Sequence, residues 1–135
     1  DEGRLGKKND WGFYDYEHDA PDEVDESVYE VLSGGLDRRS IDPELIQDRC
    51  WMAMLNECVL CLQEGIVEEP RDIDVGVIFG LGFPPFRGGI LRHADARGLQ
   101  GIVETMDRLA DEFGDRLRPA ELLRQKASEG GSFHP

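Results

Sequence analysis

Two thiols with C-x-x-C spacing, Cys58 and Cys61 in the stretch CVLC, are the first candidates for chemistry. A redox pair of this kind sits at a helix N-terminus, which lowers the thiol pKa, and a zinc site needs two further ligands. The pair instead lies deep inside a helical pattern, and the sequence contains no second pair. We therefore interpret both residues, with Cys50, as buried structural cysteines, and we predict no metal.

Asn56 and Glu57 are polar residues in the middle of the same apolar stretch. A buried Glu57 with a raised pKa could donate or accept a proton. Alternatively, both side chains cap a neighbouring helix or bind the backbone of a turn, which is the common fate of buried polar groups. We favour the second interpretation.

The histidines do not complete a catalytic arrangement. His93 and Asp95 are two positions apart, so on a helix their side chains do not face each other. His18 and His134 lie in segments that we expect to be mobile. No serine or cysteine nucleophile is placed near a base, so no catalytic triad is predicted.

Composition excludes several classes of partner. The 135 residues include 15 basic and 29 acidic ones, for a net charge of −14, which argues against nucleic acid. No run approaches the roughly 18 apolar residues of a membrane span. The acidity favours solubility, although an acidic face that steers a basic partner stays an alternative. An odd number of cysteines indicates a reducing compartment, and we expect a cytoplasmic protein.

The distribution of charged and apolar residues along the chain predicts an acidic linker followed by one helical domain. Since the chain starts at Asp1 without a methionine, we expect a fragment of a longer protein. Residues 1–17 read as the end of a preceding unit and 18–40 as a linker with a short helix at about 26–32, because dense like charge has little to bury. Residues 41–135 form the domain.

The main helix is predicted to begin at Asp42, an N-cap followed by Pro43, and to end where Gly65 adopts a left-handed conformation. Its apolar residues cover most of the circumference, so this helix is expected to be central and covered by other helices. Four more helices are predicted, starting near Pro70, within 88–97, at about Gly101 and at Pro119. No segment alternates with period two, so the class is all-α, a small helical bundle.

The segment GLGFPPFRGG, residues 80–89, is rich in glycine, but its Phe and Pro residues leave no run of free N–H groups for a phosphate. We predict a buried corner between helices. The preceding helix ends at Phe79, and Gly80 and Gly82 supply positive φ. The glycines at 88 and 89 allow a close backbone approach. Three apolar side chains are predicted to be buried in the corner: Leu81, Phe83 and Phe86.

Several segments together resemble the C-terminal part of the 3-hydroxyacyl-CoA dehydrogenase family, as found in multifunctional enzymes of fatty acid β-oxidation. Residues 3–17, GRLGKKNDWGFYDYE, resemble the end of the first of two helical repeats, and residues 46–98 resemble the second repeat almost throughout. The matching positions are interpreted as structural or interface residues: Asn56, Glu57, Asp74, Gly80, Gly82, Pro84, Pro85, Arg87, Gly88, Gly89 and Asp95.

The resemblance implies a helical domain like the C-terminal domain of 6-phosphogluconate dehydrogenase. It also implies a parent enzyme that oxidises 3-hydroxyacyl-CoA with NAD, and an enoyl-CoA hydratase domain is expected with it. NAD would be bound by a domain outside this chain. The family's Asn that assists at the substrate lies in an Asn-Arg pair, and this pair corresponds here to Asp48 and Arg49, which implies a non-catalytic copy. No catalytic or cofactor-binding residue is therefore expected in this chain.

Three hypotheses follow for the chain itself. It is first a scaffold that covers the preceding repeat of its parent chain and helps to shape the substrate side of the dehydrogenase. Alternatively, it is an interaction module that docks a thiolase subunit or a second copy, through the acidic linker and an apolar patch at FPPF. The third and weakest alternative is a stand-alone acyl-CoA binder.

Overall fold

A computed structural model describes residues 3–16, 24–32 and 40–135, and these divide between two compact units, Asp1–Ile41 and Asp42–Pro135. The described residues contain helices and no β-strand, only isolated bridges, which confirms the all-α class. The helices are α1 (Val28–Val31), α2 (Pro43–Gln63), α3 (Pro70–Leu81), α4 (Ile90–Arg97), α5 (Leu99–Phe113) and α6 (Glu121–Ser128). Two 3-10 turns, Pro85–Arg87 and Asp115–Leu117, precede α4 and α6.

The N-terminal unit is organised around Asp25. Its carboxylate accepts hydrogen bonds from Ser27, from the Trp11 indole at 2.5 Å and from the Arg4 guanidinium at 2.9 Å. The Ser27 hydroxyl is the main cause that holds the pKa of Asp25 well below its usual range. Residues 24–32, which belong to the predicted linker, thus contact residues 4–14. The predicted domain boundaries themselves stay a prediction.

Helix α2 begins as the sequence indicates, because the Asp42 side chain accepts a hydrogen bond from the Glu44 N–H at 3.0 Å. After the helix ends, Gly65 has the predicted left-handed backbone, with φ of +70°. Helices α4, α5 and α6 pack on α2 and bury one face of it: Met52, Leu55, Asn56 and Val59.

Other helices cover α2, as predicted, but part of its apolar surface stays accessible in the described residues. Trp51 and Met54 are half-buried, and Cys50 is exposed. Trp51 and Met54 pack against the edge of the core and stay partly accessible to solvent. The apolar stripe of α2 is therefore wider than the surface that the described residues bury completely.

Helix α3 continues to Leu81, two residues beyond the predicted end at Phe79. Gly82 has the predicted positive φ, at +72°, whereas Gly80 stays helical, so that part of the prediction is wrong. Gly80 has no need of a left-handed backbone because the turn out of the helix is made entirely by Gly82. Pro84 is the N-cap of the short 3-10 turn, which begins at Pro85.

The predicted burial of the 80–89 corner is also wrong. Leu81 is 69% exposed and Phe86 is 82% exposed, and only Phe83 is half-buried. Among the described residues no element packs over this corner, so its apolar side chains form a surface. Phe79, the last residue of the predicted helix, is 86% exposed beside them.

The remaining helices follow their predictions with small shifts at the ends. Helix α4 lies within the predicted range 88–97; α5 starts two residues before Gly101, and α6 starts two residues after Pro119. The core is centred on α5, which buries one complete face against α2, α4 and α6: Leu99, Ile102, Val103, Met106, Leu109 and Ala110.

Candidate functional site

A buried carboxylate joins α3 to α4. The N-cap position of α4 is Gly89, which has no side chain to bind the free N–H groups of the first turn. Asp74 of α3 takes over this role, because it accepts hydrogen bonds from the Leu91 N–H at 2.7 Å and the Arg92 N–H at 3.3 Å. A carboxylate at a helix N-terminus is favourable both as an acceptor and through the helix dipole.

The close approach predicted at Gly88 and Gly89 is present. At Gly89 a Cβ atom would lie 2.2 Å from the Asp74 side chain, and the backbone has φ of +113°. At Gly88 a Cβ atom would lie 3.1 Å from the Arg92 side chain, with φ of +79°. Glycine at position 89 is thus required both by the backbone conformation and by the carboxylate that caps α4.

The end of the chain completes this junction. The His134 Nε2 atom lies 2.8 Å from Asp74 Oδ2, and both side chains are at most 10% exposed. Asp95 of α4 accepts hydrogen bonds from the Phe133 N–H at 2.8 Å and the His134 N–H at 3.0 Å. The expectation that His134 is mobile is therefore wrong, because two carboxylates and the buried Phe133 ring hold it. His18 lies outside the described residues.

The contact of Asp74 with α4 and His134 was not predicted, although the sequence contains one feature that indicates it. A helix that starts after Gly89 without Ser, Thr, Asp or Asn at its N-cap needs an acceptor from elsewhere, and Asp74 is the carboxylate within the apolar run of the preceding helix. Both Asp74 oxygens are used by hydrogen bonds to α4 and His134. The arrangement is a structural clamp rather than a free acid or base.

Asn56 binds backbone, as the favoured interpretation predicts. Its Nδ2 donates to the Arg118 carbonyl at 2.9 Å, and its Oδ1 accepts from the Ala120 N–H at 2.8 Å. Ala120 is the N-cap of α6, so Asn56 fixes the entry to that helix from α2. Glu57 is exposed, so the prediction of a buried glutamate is wrong: one residue further along α2, its side chain points away from the core.

Asp48 and Arg49, the positions implied to correspond to the family's Asn-Arg pair, make structural contacts. Asp48 accepts from the Trp51 indole at 3.1 Å and from the Arg97 guanidinium at 2.9 Å. The Arg49 guanidinium lies 4.0 Å from the centre of the Phe113 ring. His93 and Asp95 do not pair, as predicted, since Asp95 binds the chain end and His93 packs between aromatic rings.

An apolar groove lies between α2, the 3-10 turn before α4, and α4 itself. We call it the α2 groove; it has a volume of about 460 Å³ and is lined by Gln47, Cys50, Trp51, Met54, Phe83, Pro84, Arg87 and His93. The His93 ring centre lies 5.5 Å from that of Trp51 and 6.3 Å from that of Phe83. Burial, followed by repulsion from Arg87 and Arg97, lowers the pKa of His93.

A second concavity adjoins the groove along α2. We call it the Arg49 pocket; it has a volume of about 270 Å³ and is lined by Ile46, Arg49, Cys50, Ala53 and Arg116. Cys50 lines both concavities, so they share a wall. Together they occupy a flank of α2 that the described helices leave accessible to solvent.

The cysteines differ from the prediction in burial, since Cys50 is exposed and Cys58 and Cys61 are half-buried. Burial, reinforced by the neighbouring Cys61, raises the pKa of the Cys58 thiol to about 11. A raised thiol pKa is the opposite of what a redox pair requires. The C-x-x-C spacing therefore brings no activated thiolate at Cys58.

The described residues do not fit a nucleotide cofactor. NAD sites place a glycine-rich turn between a strand and a helix, whereas residues 80–89 connect two helices and carry exposed Phe86 at their centre. No group of three or more His, Cys, Asp or Glu side chains in the described parts of the chain is placed to hold a metal ion. Nor does any helix there combine the length and apolarity that crossing a membrane requires.

Comparison with known proteins gives consistent matches. A family model described as "3-hydroxyacyl-CoA dehydrogenase, C-terminal domain" matches residues 45–132. Proteins named fatty acid oxidation complex subunit alpha are similar to the chain: 47% identical in Shewanella loihica, 46% in Idiomarina loihiensis and 44% in Vibrio vulnificus. These alignments cover 97%, 99% and 98% of the chain but 19% of each relative. The chain thus spans about a fifth of the length of these relatives.

Proposed function

This chain belongs to the family of 3-hydroxyacyl-CoA dehydrogenase C-terminal domains, and we propose that it is the terminal helical scaffold of a longer enzyme. That enzyme oxidises 3-hydroxyacyl-CoA to 3-oxoacyl-CoA with NAD in fatty acid β-oxidation and also carries enoyl-CoA hydratase activity. We place it in the cytoplasm. The observation that carries the proposal is the family match over residues 45–132 in a domain whose α2 flank is apolar and uncovered.

The polar residues support a non-catalytic role. Asp74, Asn56 and Asp48 are each committed to backbone or side-chain partners that hold helices together. NAD has no fitting site among the described residues, so its binding belongs to another part of the enzyme. In this role residues 41–135 are the second helical repeat, 18–40 the acidic linker and 1–17 the end of the first repeat.

The proposal is tested by following NADH formation from a 3-hydroxyacyl-CoA with the longer protein and with the same protein lacking residues 42–135. We expect turnover with the first and loss of turnover with the second, because the deletion uncovers the surface that this domain protects. NAD binding to the truncated protein is the control, since the nucleotide site lies elsewhere. Full turnover after the deletion would contradict the scaffold role.

A second candidate function is supported by the exposed corner around Phe79, Leu81 and Phe86. Contiguous exposed apolar side chains are typical of protein interaction sites. In this alternative the corner docks the thiolase subunit of a fatty acid oxidation complex or a second copy of the chain. Sedimentation of the longer protein with and without thiolase distinguishes the two, and unchanged assembly after Phe79→Ser and Phe86→Ser would reject both.

A further inference from the structure

Two arginines line the Arg49 pocket without a carboxylate between them. Arg49 comes from α2, and Arg116 comes from the 3-10 turn before α6. Neither guanidinium forms an ion pair with any residue that the structure describes. The chain has 29 acidic and 15 basic residues, so two unpaired cations in one pocket are a local excess of positive charge that the fold does not neutralise.

The carboxylates closest in sequence to these two arginines are engaged elsewhere. Asp48 directly precedes the first of them, but it binds the Arg97 guanidinium at 2.9 Å. Asp115 directly precedes the second, but it binds the Arg118 guanidinium at 3.3 Å. The positive charge of the pocket is therefore available to a ligand.

The Arg49 side chain has a buried donor that lacks an acceptor. Its Nε atom is buried and has no hydrogen-bond partner among the described residues. The guanidinium lies 4.0 Å from the centre of the Phe113 ring, and this stacking occupies the face of the group but leaves its N–H edge to bind an acceptor. Buried donors are nearly always hydrogen-bonded. An acceptor bound in the pocket supplies the bond that is missing.

The charge and the size of the pocket define the class of ligand. Two monovalent cations match a group with two negative charges, and a phosphate monoester carries about −1.5 to −2 at neutral pH, whereas a carboxylate carries one charge. Arginine also fits phosphate oxygens with two parallel hydrogen bonds. The volume of about 270 Å³ corresponds to roughly nine water molecules at about 30 Å³ each, more than a phosphate group fills. The remaining walls are Ile46, Ala53 and Cys50.

We propose that the Arg49 pocket binds a small organic phosphate monoester. The Arg49 and Arg116 guanidiniums hold the phosphate, and Ile46, Ala53 and Cys50 contact an apolar body attached to it. This binding site uses residues of this chain alone, so it stands or falls independently of the proposed dehydrogenase scaffold.

The test is a titration of the 135-residue chain with phenyl phosphate, followed through the NMR signals of the arginine Nε–H groups at neutral pH. We expect a saturable shift of the Arg49 Nε–H signal. Phenyl sulfate has the same shape with one charge fewer and should bind about tenfold more weakly or worse, since one charge-assisted contact is worth that factor. Inorganic phosphate, which has no apolar body, should also bind more weakly than phenyl phosphate.

Three results of this titration would overturn the proposal. The first is the absence of a saturable Arg49 signal up to about 10 mM phenyl phosphate, a concentration that fills even a millimolar site. The second is equal affinity for phenyl sulfate, which would remove the requirement for a dianion. The third is equal affinity for inorganic phosphate, which would remove the apolar body.

Neutral variants test which arginines hold the phosphate. Arg116 is exposed, so Arg116→Gln should keep the fold, which circular dichroism checks, and weaken phenyl phosphate binding by about tenfold or more. Arg49→Lys keeps the charge but removes the Nε–H donor, and it should also weaken binding. Arg108→Gln, which removes an exposed arginine of α5, is the matched control and should leave the affinity unchanged. Equal losses in Arg108→Gln and Arg116→Gln, or no loss in either pocket variant, would refute the site.

Discussion

Asp74 occupies the space in which any residue other than glycine at position 89 would place its Cβ atom, 2.2 Å from the carboxylate side chain. The two residues therefore depend on each other. Gly89 leaves the N-terminus of α4 without a capping side chain, and Asp74 supplies the missing acceptor from α3. This relation explains why a glycine stands where helices usually begin with Ser, Thr, Asp or Asn.

Gly89→Ala is accordingly expected to be severely destabilising. The substitution combines an unfavourable positive φ with displacement of a buried carboxylate, and we expect a loss of about 3 kcal/mol or more in the free energy of unfolding. Urea unfolding monitored by circular dichroism measures it. Gly76→Ala is the matched control: Gly76 lies within α3 with open space around it, so alanine should stabilise by about 0.5–1 kcal/mol. Similar effects of the two substitutions would contradict this account.

Asn56→Ala should weaken the contact between α2 and the start of α6. It leaves the buried Ala120 N–H and the Arg118 carbonyl without their partner, and we expect a loss of about 2–3 kcal/mol in the free energy of unfolding. The neighbouring exposed residue provides the control, because Glu57→Ala should change stability by less than about 0.5 kcal/mol. A neutral Asn56→Ala would show that the cap does not contribute to stability.

The stability of the chain should fall as pH is lowered through the range in which His93 titrates. Its pKa in the folded state lies below the ordinary value, so the unfolded state binds the proton first and stability is lost as pH falls. We expect the free energy of unfolding, measured by urea titration from about pH 7 to about pH 5, to decline less steeply in His93→Gln. Equal slopes in the parent chain and the variant would contradict a depressed pKa.

The cysteines should differ in reactivity in the 135-residue chain. Cys50 is exposed, whereas Cys58 is half-buried with a pKa raised to about 11, so its reactive thiolate is scarce at neutral pH. Alkylation at pH 8 followed by peptide mass spectrometry should therefore label Cys50 well before Cys58. The reverse order would mean that the C-x-x-C pair is activated.

Local signals in the sequence were sufficient for the helices. Asp42 and Pro43 mark the start of α2, and Gly65 and Gly82 have the left-handed backbone predicted for them after α2 and α3. Helix starts and ends depend on residues that are close together in the sequence, so they can be predicted from the sequence alone. The shifts at the ends of α3, α5 and α6 amount to two residues each.

The sequence does not show which residues far apart in the chain contact each other. His134 and Asp74 are 60 residues apart, and no periodicity connects them. The predicted burial of Leu81 and Phe86 is wrong. An apolar side chain indicates that burial would be favourable, but it does not show which part of the protein packs over it. Asn56 was predicted correctly because a polar residue in an apolar helix interior needs a backbone partner wherever the helix packs.

The central proposal, that this chain is a structural part of a longer dehydrogenase whose catalytic residues lie elsewhere, is tested most directly by one measurement. Purified residues 1–135 are incubated with NAD and a 3-hydroxyacyl-CoA, and NADH is followed by its absorbance. The account predicts no NADH above the blank at any concentration of the chain. Turnover that rises in proportion to the amount of chain, and persists through further purification, would contradict it.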